Sequence, residues 1–141
     1  ATITPASGSV GPAGALIVGL VGGVICYFAT IYLKQIIKID DSLDVFPVHG
    51  VGGIVGTFLA GILVSGNLGI FSGNGLAPDM TIGSQLMVQI TGILATGIYT
   101  AIATFIILKI VSALTSGIRV TDEQEQQGLD ITDHDEKGYS M

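Results

Sequence analysis

One imidazole stands inside an otherwise apolar stretch: His49 is the only ionisable residue between Val45 and Val64. In a soluble core a lone histidine is usually an interior residue with a hydrogen-bond partner. Inside lipid the expectation reverses, because desolvating a polar ring is costly and such groups line pathways. One helical turn away, Val45, Gly52 and Gly53 are expected to share its face. An apolar face bearing one ring suits a small, mostly neutral permeant. A hydrated ion would need rings of oxygens or charges.

Four residues before that stretch have a simpler reading. Asp40, Asp41, Ser42 and Asp44 are of the types that cap a helix N-terminus, where acidic groups are favoured. With Asp44 as the cap, Pro47 falls in the first turn, where its missing N–H costs nothing, and Asp44 is expected to be structural. Other chemistry is poorly supported. Asp133-His134-Asp135-Glu136-Lys137-Gly138 resembles the start of a calcium loop, but Lys137 occupies the third ligand position. His49 and His134 lie on segments of opposite character and Cys26 has no second cysteine, so no zinc set and no disulfide framework are expected. No nucleophile is paired with a base, so no enzyme and no cofactor is expected. Five Lys and Arg are too few for a nucleic-acid surface.

The elements that must position His49 follow from where charge is missing. Only 11% of residues are charged against about 25% in soluble domains, and mean hydropathy is +0.73. Gly11–Leu33, Val45–Pro78 and Met80–Leu108 contain no Asp, Glu, Lys or Arg. Three spans are expected, at about 12–33, 45–64 and 82–108, the first covering about 33 Å against a hydrocarbon core of roughly 30 Å. The third is longer and must tilt or project inward. In lipid every backbone polar group needs an internal partner, so the spans are helices and the fold class is all-α, a polytopic transmembrane bundle. Gly19 and Gly23, and Gly52 and Gly56, are four apart and are expected to let backbones approach closely.

Lys34 and Lys38 in the first connection, and Lys109 and Arg119 after the third span, place those segments in the cytoplasm, with the Gly/Ser/Asn-rich loop Ser65–Thr81 outside. Seven of the eleven acidic residues lie between Asp122 and Glu136, so the net charge of −6 describes mainly a polar tail. Residues 1–11 read as the end of a preceding helix and its loop, 12–116 as the spans, and 117–141 as the tail. No basic stretch followed by a short apolar core opens the chain, so no signal peptide is expected. Ala1–Pro5 reads as the continuation of something under way, and a fragment is expected.

Asp40-Asp41-Ser42-Leu43-Asp44-Val45-Phe46-Pro47-Val48-His49-Gly50-Val51-Gly52-Gly53-Ile54-Val55-Gly56 resembles the penultimate-helix signature of the ammonium transporter (Amt/MEP/Rh) family. Gly117-Ile118-Arg119-Val120, Gly128-Leu129-Asp130-Ile131 and His134-Asp135-Glu136 resemble the family's cytoplasmic C-terminal region. The Gln85–Gln89 region and Ile3-Thr4-Pro5 fit the same order, so the resemblance covers essentially the whole chain.

That resemblance implies the last three helices, and the end of the one before, of an eleven-helix fold built from two inverted halves and assembled as homotrimers with a pore in each subunit. It makes His49 the second of two paired pore histidines that accompany ammonia after an ammonium ion is deprotonated. The first histidine, the outer ammonium site and the phenylalanine gate belong to the missing N-terminal half. Asp44, Gly52, Gly53 and Gly56 become pore-supporting positions beside His49 and Val45. Arg119, Gly128, Asp130, Thr132, His134 and Glu136 become parts of a regulatory tail that contacts a neighbouring subunit and, in prokaryotes, answers to a PII-type signal protein. Thr132 falls at a position phosphorylated in plant members. Family tails commonly read His-Gly-Glu where this chain has His134-Asp135-Glu136; at a positive φ, Asp fits less well than Gly.

A transporter in the cell or plasma membrane is therefore the leading expectation. The alternative is an ammonium sensor on the same scaffold. Such sensors usually carry a signalling domain after the last helix, and this sequence runs 22 residues past Arg119, which favours transport. A membrane scaffold without a pore is disfavoured by His49.

Overall fold

The computed structural model describes residues 1–115 and 117–138. Helices are the regular elements of these residues. They divide after Gly97 into two units.

In the first unit a 3₁₀ turn, Thr4–Ala6, precedes helix α1, Pro12–Ile31, which runs on through a π turn, Tyr32–Ile37. Pro12 stands at the first helical position, where a missing N–H is harmless. The far end closes at Lys38, whose left-handed φ of 60° lets the Ile39 N–H reach back to the Leu33 carbonyl. A second π turn, Phe46–Val51, leads into helix α2, Gly52–Leu63. Helix α3, Ile82–Leu114, begins at Thr81, which exchanges hydrogen bonds with Ser84: the Ser84 N–H donates to Thr81 Oγ1 and the Thr81 N–H to Ser84 Oγ.

Three helices, Pro12–Ile37, Phe46–Leu63 and Ile82–Leu114, are long and apolar enough to cross a membrane. The first and third extend beyond the apolar runs that define them in the sequence. Lys34 lies inside the final turn of the first helix rather than in the connection. Its long stem can carry the ammonium away from the helix axis, so a charge at that position does not end the helix. The third holds Lys109, whose Nζ lies 5.6 Å from the centroid of the Phe105 ring one turn earlier. Large apolar side chains such as Leu16, Leu20, Phe28 and Leu94 are exposed along these helices. That pattern suits lipid or further helices as the surroundings rather than water.

The core of the first unit is small: Ala6, Val18, Ala60 and Leu63, with Val10, Leu59 and Leu68 against them. The N-terminal segment lies in the groove between α1 and α2, and glycine makes the room. A Cβ on Gly56 would overlap the Thr2 carbonyl, and one on Gly22 the Thr2 side chain. The close approach expected at Gly52 and Gly56 is present. The pair Gly19 and Gly23 is not used that way: both are exposed, with nothing within 4 Å of an added Cβ. The packed stripe of α1 is Gly14, Val18 and Gly22, one residue out of phase. A step of one residue rotates about 100° around a helix, enough to exchange a covered face for an open one.

The loop Ser65–Thr81 is tied to the N-terminal segment. The Asn74 N–H donates to the Ser9 carbonyl at 2.9 Å and its amide side chain to the Gly8 carbonyl. Ala77-Pro78-Asp79-Met80 is a turn with Pro second, a left-handed Asp79 third (φ 63°) and the Met80 N–H closing on the Ala77 carbonyl.

In the second unit α3 finishes, and two short helices follow, α4 (Asp122–Gln127) and α5 (Leu129–Thr132).

Candidate pore-lining site

His49 sits within the π turn that opens the second span, four residues after Val45. Its side chain is exposed, and Val45 is 51% exposed beside it. Gly53, one turn further on, is half-buried with open space where a Cβ would be. Val45, His49 and Gly53 thus share an open side of the span. Gly52 does not share it. Gly52 is buried, and a Cβ there would meet Thr2 Oγ1 at 3.0 Å and Cys26 Sγ at 3.1 Å. Gly56 is covered by Thr2 in the same way. Sequence spacing of three and four residues treats Gly52 and Gly53 alike; packing against the N-terminal segment separates them.

The start of this helix is built differently from the simplest reading of Asp40–Asp44. Asp41 is the cap: its carboxylate accepts from the Val45 N–H at 2.9 Å and the Phe46 N–H at 2.8 Å. Pro47 has no N–H, and the Val48 N–H donates to the Asp44 carbonyl at 3.0 Å. Every backbone donor of the first turn is accounted for. The two backbone bonds, that from Phe46 foremost, hold the Asp41 carboxyl below the ordinary aspartate value, and the charge of Lys34 adds to this.

Asp44 is therefore released from capping. It takes a left-handed φ of 55° where the chain turns into the span, and its Oδ1 lies 2.6 Å from Lys34 Nζ. That oxygen is buried, and the ammonium is its partner. Lys34, met in the sequence only as a marker of orientation, is thus part of the same site. Ten residues and a turn separate it from Asp44, and no short-range pattern connects them.

The tail residues are organised through the backbone. Thr121 and Gln124 form a reciprocal capping box at the start of α4: the Gln124 N–H donates to Thr121 Oγ1 at 3.3 Å, and the Thr121 N–H to Gln124 Oε1 at 3.0 Å. The Thr-x-x-Gln spacing was there to be found in the sequence. Arg119 Nη2 meets Glu125 Oε2 at 3.1 Å, an exposed pair of the kind that contributes little. Gly128, at φ 92°, separates α4 from α5, and a Cβ there would lie 2.7 Å from Asp130 Oδ1. Thr132 Oγ1 donates back to the Gly128 carbonyl at 3.3 Å. At the end of α5 the Glu136 N–H bonds the Asp130 carbonyl and the Asp135 N–H the Ile131 carbonyl, the two bonds of a Schellman stop. Asp135 holds the left-handed position at φ 51°, where glycine is usual. His134 is exposed.

Three long apolar helices, a close-packed glycine groove and an imidazole on an open face define a polytopic helical membrane protein. A match to the Ammonium Transporter Family covers residues 1–139. The putative ammonium transporter of Methanothermobacter thermautotrophicus is 39% identical over 148 residues, covering 100% of this chain and 34% of that protein. The ammonium transporter of Bacillus subtilis is 39% identical over 137 residues, covering 97% and 33%, and that of Aquifex aeolicus 39% over 141 residues, covering 99% and 31%. The chain belongs to the Ammonium Transporter Family and spans about a third of the length of the curated relatives it matches.

Proposed function

We propose that this chain is the C-terminal third of an ammonium transporter, to whose apolar, histidine-lined pore it contributes His49. The observation that carries the reading is the position of that imidazole: exposed, on the side of the span shared by Val45 and Gly53, at the start of an otherwise apolar helix. A ring so placed can accept or donate one hydrogen bond to a small neutral molecule while offering a bare cation little. The function is transport rather than catalysis. The N-terminal part of the same protein supplies the partner imidazole and the outer recruitment site. The reading includes a homotrimer, the Ser65–Thr81 loop outside the cell, and a cytoplasmic tail. That tail, with Arg119, Gly128, Asp130, Thr132, His134 and Glu136, adjusts flux and offers a surface to a PII-type signal protein.

The test is uptake of labelled ammonium by the complete protein in cells lacking their own uptake systems, at matched surface expression. Removing one partner of a desolvated hydrogen bond costs about 1–3 kcal/mol. His49→Ala should therefore slow uptake by about tenfold or more, or lose selectivity against potassium. His49→Glu keeps a group that handles protons and should retain measurable transport. Uptake by His49→Ala at the parental rate and selectivity would make His49 a packing residue and sink the proposal.

A further inference from the structure

We propose that Lys34 is a positioning residue for His49: its ion pair with Asp44 sets the rotation and height of the turn that carries the imidazole. The inference rests on the pore reading of His49 given above.

The argument starts from which groups the first turn of the second span requires. Its donors are satisfied without the Asp44 side chain, by the Asp41 carboxylate at Val45 and Phe46 and by the Asp44 carbonyl at Val48. The Asp44 carboxylate is nevertheless directed inward, its Oδ1 buried and 2.6 Å from Lys34 Nζ. The backbone at Asp44 is left-handed, a conformation that non-glycine residues keep when their surroundings impose it. Asp44 is thus the point where the connection becomes the span, and its own carbonyl anchors Val48, the residue next to His49.

Lys34 is fixed on the opposite side. It belongs to the π turn Tyr32–Ile37, which is closed by the left-handed Lys38 and by the bond from the Ile39 N–H to the Leu33 carbonyl. The ion pair therefore joins two helix ends whose backbones are each independently stopped. Without the ammonium, Asp44 Oδ1 is a buried anion lacking its partner, and it must turn toward water. Turning it out draws on the Asp44 backbone, and with it the Val48 anchor and the register of His49.

The experiment is uptake of labelled methylammonium by the complete transporter at matched surface expression, with potassium as competitor. Lys34→Met keeps an apolar stem of similar length and removes the charge. It should reduce the maximal rate by about tenfold, and Lys34→Arg should return it to within about threefold of the parent, given coupling of the size usual for groups in contact. In the His49→Glu background, which keeps transport, Lys34→Met should have much less than its full effect. A lysine that merely stabilised the fold would act independently of residue 49. Parental transport by Lys34→Met overturns the inference, as does an Arg variant as impaired as the Met variant, or full multiplicative loss in the double variant. If Lys34→Met does not reach the membrane, Asp44→Asn, which keeps the shape of the carboxylate and removes its charge, is read by rate and by the same double-variant comparison. A parental His49→Ala overturns the pore reading itself; an impaired His49→Ala beside a parental Lys34→Met overturns the positioning role alone.

Discussion

The carbonyl oxygen of Thr2 lies in the space that a side chain on Gly56 would occupy. Backbone meets backbone there, and neither can yield by changing rotamer. Gly56→Ala is therefore expected to displace the N-terminal segment from the groove between α1 and α2, at a cost of about 1–3 kcal/mol, as for other overpacked sites. Gly53→Ala, with open space around the added methyl, is the control and should be close to neutral in the chain as it stands. Thermal aggregation midpoints of the detergent-purified protein measure both. Equal midpoints for the two variants would remove the case for Thr2 as a packing element.

Asp135 carries a left-handed backbone at the Schellman stop of α5. Replacing it by glycine relieves the Cβ strain but enlarges the freedom of the unfolded tail. The first effect is about 1 kcal/mol for an ordinary residue and smaller for Asp, so the net gain should be a few tenths of a kcal/mol. Asp135→Val, a β-branched residue at the same φ, should lose more than Asp135→Gly gains. Hydrogen exchange at the amides of 135 and 136 reads the result: protection should rise in the Gly variant and fall in the Val variant. The reverse order would contradict the stop described here.

The Asp41 cap should be sensitive to acid. Its carboxyl titrates below the ordinary value of 3.8 because the ionised form is bonded to the Phe46 and Val45 amides. A group whose folded value is depressed contributes stability that is present above the unfolded value and is lost as pH falls through the folded one. Protection of the Val45 and Phe46 amides should therefore hold down to about pH 4 and be lost below it. Asp41→Asn, which keeps an acceptor and does not titrate, should remove that step. An unchanged acid transition in the Asn variant would assign it to another group.

The proposed orientation is checked by labelling in the complete protein with Cys26 replaced by Ala. Ala77→Cys, in the exposed Ala77–Met80 turn, should react with an impermeant thiol reagent in intact cells. Gln126→Cys, exposed on α4, should react only after the membrane is opened. The opposite pattern would invert the topology.

Much of this protein is determined locally, and that part was legible in the sequence. The three spans follow from long runs without charge, because in lipid an apolar run has the helix as its way to satisfy the backbone. His49 stands out for the same reason, as one polar ring among apolar neighbours. The left-handed turn at Asp135 was also readable, because a position where related tails carry glycine marks a special φ. Helix ends were less legible: Lys34 and Lys109 lie inside helices that the charge pattern closes before them, since a flexible stem separates a charge from the backbone it is attached to.

What tertiary structure decided is which side of each helix is covered, and by what. Gly19 and Gly23 match Gly52 and Gly56 in type and spacing, yet only the second pair receives the N-terminal segment. Gly52 and Gly53 are neighbours, yet one is buried against Thr2 and Cys26 while the other lies open beside His49. Asp41 and Asp44 are both good caps by composition, yet one holds the helix start and the other turns away to Lys34. In each case the residue type sets what a position can do, and a partner distant in sequence selects which of two equivalent positions does it. That selection depends on contacts between segments, and local spacing does not encode them.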